Sequence, residues 1–210
     1  MNSSPFFRLQ LFGRPSIKTE GGDLLKGAAA QRRRVALLAL LALAEDRGVT
    51  RDKILGYLWP ENDTEHARNL LNVAVYTLRK SLGEQSISSD AEGLRINPRL
   101  VGSDVADFGA AIERDDYEAA VTHYSGPFLD GFFVGDAPEF ERWVERERDR
   151  LGGLYGGAVE SLANRSELAQ DFDQAAEWWK SRAAYDPYDS RVTIRLMQAL
   201  DASGNTAAAL

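Results

Sequence analysis

The sequence predicts an α+β winged helix-turn-helix domain over residues 1–102, followed by an all-α, tetratricopeptide-like helical repeat domain over residues 103–210. Three observations predict it. Alternating apolar and polar residues at the start and again before Pro98 bracket three helical segments, only helical patterns follow Asp104, and a short motif recurs in that second part at close to tetratricopeptide spacing. With 44% apolar and 27% charged residues in 210, the chain is globular in composition and long enough for two domains.

Phe7, Leu9 and Leu11 alternate with Arg8 and Gln10, Gly13 and Pro15 punctuate, and Ile17 and Lys18 lead to the turn at Gly21-Gly22 before Leu24-Leu25. This predicts a small antiparallel sheet. Arg32 to Asp46 is apolar nearly all round and predicts a buried helix ended by Gly48. A short second helix starts at the cap Thr50, carries Ile54, Leu55 and Leu58, and stops at Trp59-Pro60. The third helix is capped by Asp63 or Thr64, and its apolar stripe Ala67, Leu71, Ala74, Leu78 and Leu82 runs to Gly83. Ile87 and then Leu94 and Ile96 bracket Asp90-Ala91-Glu92-Gly93 as a hairpin with Arg95 and Asn97 on its outer face, and Asn97-Pro98 closes the domain. A sheet, three helices and a terminal hairpin make a winged helix.

In the second part, Asp116-Tyr117-Glu118-Ala119-Ala120 resembles Asp171-Phe172-Asp173-Gln174-Ala175, which aligns with Gly204-Asn205-Thr206-Ala207-Ala208 at an offset of 33 residues. An insertion separates the first two copies. It contains the aromatic segment from Gly126 to Phe133, read as a loop folded on its own core or a ligand pocket, the former favoured, and a charged helix from about Pro138 to Leu151. Trp178-Trp179 reads as packing between helices in preference to a recognition box. A new repeat helix is expected to begin at Thr206, so the chain is expected to be part of a longer protein.

Charge divides with the pattern. Residues 1–102 carry 15 Lys and Arg against 11 Asp and Glu, net +4, and residues 103–210 carry 10 against 21, net −11. This split reads either as one part that can approach phosphate beside one that is repelled by it, or as two domains that drifted apart in charge. With no cysteine, disulfides and thiolate chemistry are excluded. The sequence has no glycine-rich phosphate loop, HExxH motif or nucleophile elbow, and His66 and His123 stand alone, so the chain is read as not an enzyme and as needing no cofactor or metal. His66 is open between a DNA contact and a solvated surface residue. The carboxylates between Glu139 and Asp149 alternate with arginines at helical spacing, which describes an ion-paired surface, not a catalytic pair. The longest apolar run, Val35 to Ala44, is about half a bilayer span, and no signal pattern precedes it; a cytoplasmic protein without membrane contact is expected.

Double-stranded DNA is the partner these parts suit. On the third helix Glu65, Asn69, Asn72, Tyr76 and Arg79 recur at steps of four and three opposite the apolar stripe, with Arg68 and Lys80 beside them. Arg68, Asn69 and Asn72 supply the planar head groups that read guanine and adenine in the major groove. Tyr76, Arg79 and Lys80 are expected on phosphate, and Arg95 in the flanking minor groove. Arg32, Arg33 and Arg34 oppose the dipole of the helix they begin, which calls for an offset: phosphate, or ion pairs with the Glu20 or Asp23 region.

These residues also resemble a family. Arg33-Arg34 leading into Ala36-Leu41, Thr50-Leu55 with Leu58-Trp59-Pro60, Ala67-Leu71 and Tyr76-Gly83 are similar to the OmpR-like winged helix of the bacterial antibiotic-regulatory activators called SARPs. Asp104-Phe108, Tyr124-Leu129, Phe140-Trp143 and Asp186-Asp189 are similar to their bacterial transcriptional activator domain, BTAD. The resemblance implies a DNA-binding activator that sits on direct repeats as a homodimer and recruits RNA polymerase, partly through the turn Pro60, Glu61, Asn62, Asp63 and Thr64. The competing expectation is a tetratricopeptide-type interaction or sensor module whose winged helix binds protein instead of DNA.

Overall fold

The computed structural model describes residues 6–44 and 47–204. Its contacts group the chain into two compact units, residues 1–109 with 123–149, and residues 110–122 with 150–210. The expected extension of the first helix to Asp46 and the third motif copy beyond Gly204 lie outside the described residues.

In the first unit, strands β1 (Phe7–Gln10) and β2 (Ser16–Thr19) pair antiparallel as their alternation predicts, Leu9 opposite Ile17 and both buried. A third strand, β5 (Val101–Ser103), runs parallel to β1 on its other edge. Helix α1 (Arg32–Ala44) buries every residue from Val35 to Ala42, as a helix apolar all round must. Helix α2 (Arg51–Leu58) is capped by Thr50, whose hydroxyl accepts from Lys53 N–H. Helix α3 (Thr64–Leu82) is capped by Asp63, not Thr64: the carboxylate accepts from His66 N–H at 3.0 Å. Strands β3 (Ile87–Ser89) and β4 (Leu94–Ile96) form the hairpin, and Val49 adds a bridge to Leu94.

Helix α4 (Asp104–Glu113) starts where β5 ends. The buried Asp104 carboxylate accepts from the N–H groups of Leu11, Phe12 and Val105, at 2.8–3.0 Å, and so fastens the end of β1 to the start of α4. Phe12 then packs edge-on to Phe108 and against Tyr124. The aromatic segment folds inward: Phe128 and Leu129 are fully buried, and Arg148 donates to both of their carbonyls at 2.6 Å. Only Phe133 of that segment is a largely exposed ring. Arg148 is therefore not part of the ion-paired surface that the sequence suggests, although Arg142 pairs with Glu139.

The second unit holds α5 (Tyr117–His123) up to Thr122, begun by the cap Asp116, and α7 (Phe172–Tyr185), begun by the cap Asp171, so the recurring motif is a helix start. Helix α8 (Ser190–Ala202) follows. Ala163, Ala175, Ala176, Val192 and Ala199 surround Trp179, small residues that let the helices approach closely. Trp179 is 1% exposed and its ring N–H donates to Glu167, which makes it a packing residue. Glu160 joins Arg191 and Arg182, and the hydrogen bond from Arg191 foremost holds its carboxyl below the usual range.

The helix expected to end near Leu151 continues as α6 (Pro138–Leu168) through Gly152, Gly153, Gly156 and Gly157. Two of these glycines explain themselves. A Cβ on Gly152 would meet the Tyr185 hydroxyl, and one on Gly156 the Arg182 guanidinium, so both make room for α7. Gly153 and Gly157 face open space. Gly153→Ala and Gly157→Ala should each stabilise the protein by about 0.5–1 kcal/mol, because alanine loses less backbone entropy in a helix. Thermal unfolding of each variant against Gly156→Ala, which gains the same propensity but crowds Arg182, checks this.

Candidate nucleic-acid interface

Helix α3 is fixed by six buried residues, the expected five and Val75. Each buried leucine contributes about 1.5–3 kcal/mol relative to exposure, enough to fix the rotation of the helix. The opposite face is open to solvent. Glu65, Arg68, Asn69, Asn72, Tyr76 and Lys80 are all exposed, Tyr76 by 66%. The side chains of Arg68, Asn69, Tyr76 and Lys80 have no hydrogen-bond or ion-pair partner among the described residues, so their donors and acceptors point only at water. Val73, 54% exposed, adds an apolar spot to this face. His66 is exposed in the first turn.

Two predicted residues are placed otherwise. Arg79 is half-buried, and its Nε donates to the Ile87 carbonyl at 2.9 Å, tying the end of α3 to β3. Arg95 lies along the hairpin, paired with both Asp90 and Glu92. Asp90 also accepts from Glu92 N–H at 2.8 Å, which leads the effects holding its carboxyl low, and from Gly93 N–H. Arg95 thus balances the turn of its own hairpin.

Arg32, Arg33 and Arg34 do not use the ion-pair offset expected within the chain. No ion pair with Glu20 or Asp23 forms among the described residues; the arginines donate to carbonyls instead. Arg33 joins Leu58 O at the end of α2 to Gly135 O, and Arg32 reaches Phe133 O. They border a groove of about 490 Å³ whose other walls include Trp59, Asn62, Leu70 and Val73. In the turn between α2 and α3, Pro60, Glu61, Asn62 and Thr64 are exposed beside the cap Asp63.

The sequence reading missed Arg51. This first residue of α2 reaches both Asn72 and Ser89, joining α3 to the hairpin. Its position at a helix N-terminus, where a cation is unfavourable, was the available signal. Among the described residues no group of three or more His, Asp or Glu side chains is placed to hold a metal ion, and no helix is long and apolar enough to cross a membrane.

Comparison with known proteins agrees with this architecture. Residues 26–92 match the family model "Transcriptional regulatory protein, C terminal", and residues 104–210, about half the chain, match "Bacterial transcriptional activator domain". No curated protein matches the sequence. A solved structure of Mycobacterium tuberculosis EmbR in complex with a low-affinity phosphopeptide superposes with a TM-score of 0.67 at 19% identity, covering 97% of this chain and 57% of that one. At that identity the likeness is one of fold, and the chain spans little more than half the length of the EmbR chain. With an OmpR-like winged helix followed by a matched activator domain, the chain belongs to the bacterial transcriptional activator domain family and has the domain pair of the SARP-type regulators.

Proposed function

We propose that the chain binds DNA sequence-specifically and activates transcription, with α3 in the major groove and the β3–β4 hairpin over the adjacent minor groove. One observation carries the reading: the exposed side of α3 presents the guanidinium of Arg68, the amide of Asn69, the phenol of Tyr76 and the ammonium of Lys80 with no partner among the described residues. In a folded domain such groups are solvated, and a duplex offers the base edges and phosphates that complement them. Arg68, Asn69 and Asn72 are the base readers of this proposal, and Tyr76 and Lys80 its phosphate contacts. Arg79 and Arg95 enter it as residues that shape the interface, since both are engaged by neighbours. Arg32 and Arg34 remain phosphate contacts through donors left over from their carbonyl bonds.

Recruitment of RNA polymerase is assigned to the turn from Pro60 to Thr64, supported by its exposure and by the groove beside Asn62. The protein acts in the cytoplasm, where its DNA is, and as a homodimer on direct repeats. Arg68→Ala should cost about 1–3 kcal/mol on the selected site while Lys80→Ala weakens all duplexes alike. Titration of labelled duplex at several salt concentrations tests this: affinity should fall by about 0.9 log unit per neutralised phosphate for each decade of salt. Absence of any duplex binding would turn the reading to the protein-interaction alternative.

A further inference from the structure

We infer that Arg51 determines a base preference of α3: it binds the side-chain oxygen of Asn72 and sets its own N–H groups beside the Asn72 amide, so that the pair favours guanine over adenine at the base pair it faces. The inference rests on the DNA-binding reading above.

Arg51 Nη1 donates to Asn72 Oδ1 at 3.1 Å, and its Nη2 donates to Ser89 Oγ at 3.2 Å. A guanidinium has five donors and no acceptor, so the amide can meet it only through its oxygen. The amide nitrogen of Asn72, an exposed residue, has no partner among the described residues. Ser89 ends β3, so the same guanidinium is also engaged from the hairpin side.

Base chemistry then decides. An asparagine reads adenine with two atoms, its oxygen accepting from N6–H and its nitrogen donating to N7. With one of its two lone pairs taken by Arg51, Oδ1 can still accept, but adenine N6–H must then approach beside the guanidinium's own N–H groups, donor against donor. Guanine presents two acceptors, N7 and O6, which suit a donor-only pair made of Asn72 Nδ2 and the remaining N–H groups of Arg51. Asn69, one turn earlier on the same exposed side, has neither amide atom engaged and keeps the full adenine geometry. Two asparagines that look alike in the sequence therefore differ in what they read. Arg51 acts through Asn72 and is a positioning residue.

The test is selection of bound sequences from a random duplex pool by the full chain, its Arg51→Met and Arg51→Ala variants, and Asn72→Ala. Asn72→Ala identifies the base pair concerned by flattening preference there. Guanine is expected at that position for the unaltered protein. In Arg51→Met and Arg51→Ala the preference should move toward adenine by at least about five-fold, the lower end of discrimination by one bidentate contact. Far-UV circular dichroism and the thermal midpoint confirm that each variant folds. Adenine at that position for the unaltered protein, an unchanged motif in both Arg51 variants, or folded variants that lose all sequences alike would each overturn the inference while leaving DNA binding intact. Failure of the unaltered protein to bind any duplex instead removes the DNA-binding reading, and this one with it.

Discussion

Asp104→Ala should lower the free energy of unfolding by about 3 kcal/mol, because three N–H groups then lose their acceptor inside the fold and an unsatisfied buried donor costs about 1–3 kcal/mol, part of which relaxation recovers. The carboxylate takes Leu11 N–H on both oxygens, Phe12 N–H and Val105 N–H, in a residue 7% exposed. Asn is a poor substitute, since only one of its two polar atoms accepts. Burial pushes the Asp104 carboxyl above its ordinary value, outweighing the three donors that pull it down. The sign follows. A folded-state value raised above the unfolded one contributes stability that is complete below about pH 4, the unfolded value, and is lost as pH rises through the raised native value. The advantage of the unaltered protein over Asp104→Asn should therefore shrink across that window and stay constant above it. Urea denaturation of Asp104→Ala, Asp104→Asn and the unaltered protein at several pH values measures both effects; a loss under about 1 kcal/mol for Asp104→Ala would show that water replaces the carboxylate.

Local signals were legible, and distant ones were not. The apolar stripe of α3 shows in the sequence because helical spacing alone puts Ala67, Leu71, Ala74, Leu78 and Leu82 on one side, and the structure buries all five. The cap Thr50 is equally local, as is Asp63, which the sequence leaves open against Thr64. By contrast, the Asp104 lock joins residues 93 positions apart, and β5 finds β1 from the far end of the winged helix. No periodicity marks either. The continuation of α6 through four glycines was hidden because what tolerates Gly152 and Gly156 is α7 lying over them, not anything in α6 itself. The same limit applies to the interface. Arg68 and Arg79 sit at similar angles on α3, yet one faces water and the other donates to Ile87 O. Spacing gives the direction of a side chain; the carbonyl that captures it belongs to another element.

Gly93→Ala should cost about 3–4 kcal/mol and disable the hairpin while leaving α3 formed. Gly93 has φ +142°, a conformation that side chains rarely adopt, and a Cβ there would stand 2.2 Å from Val49 O and 2.6 Å from Val49 C. These are backbone atoms, so no rotamer change relieves the clash. Val49 is held in place by paired hydrogen bonds with Leu94, both 2.9 Å, and Asp90 N–H donates to Gly93 O at 3.0 Å, so the substitution breaks the tip of the hairpin and its bridge to Val49 together. Backbone strain of about 1–3 kcal/mol adds to the overpacking. Gly48 makes a milder contrast: its φ is also positive, and a Cβ there would stand 2.7 Å from the Arg95 Cγ, which can move, but also 2.9 Å from the backbone Leu94 O, so Gly48→Ala should cost less than Gly93→Ala, about 2–3 kcal/mol. Amide hydrogen exchange at Val49 and Leu94, beside that at Leu71 and Leu78, separates loss of the hairpin from global unfolding. If the hairpin contributes minor-groove and phosphate contacts, Gly93→Ala should also bind the selected duplex more weakly and with a shallower salt slope than the unaltered protein, because fewer phosphates are neutralised. An unchanged slope in a variant whose hairpin is open would mean that α3 alone carries the DNA contact.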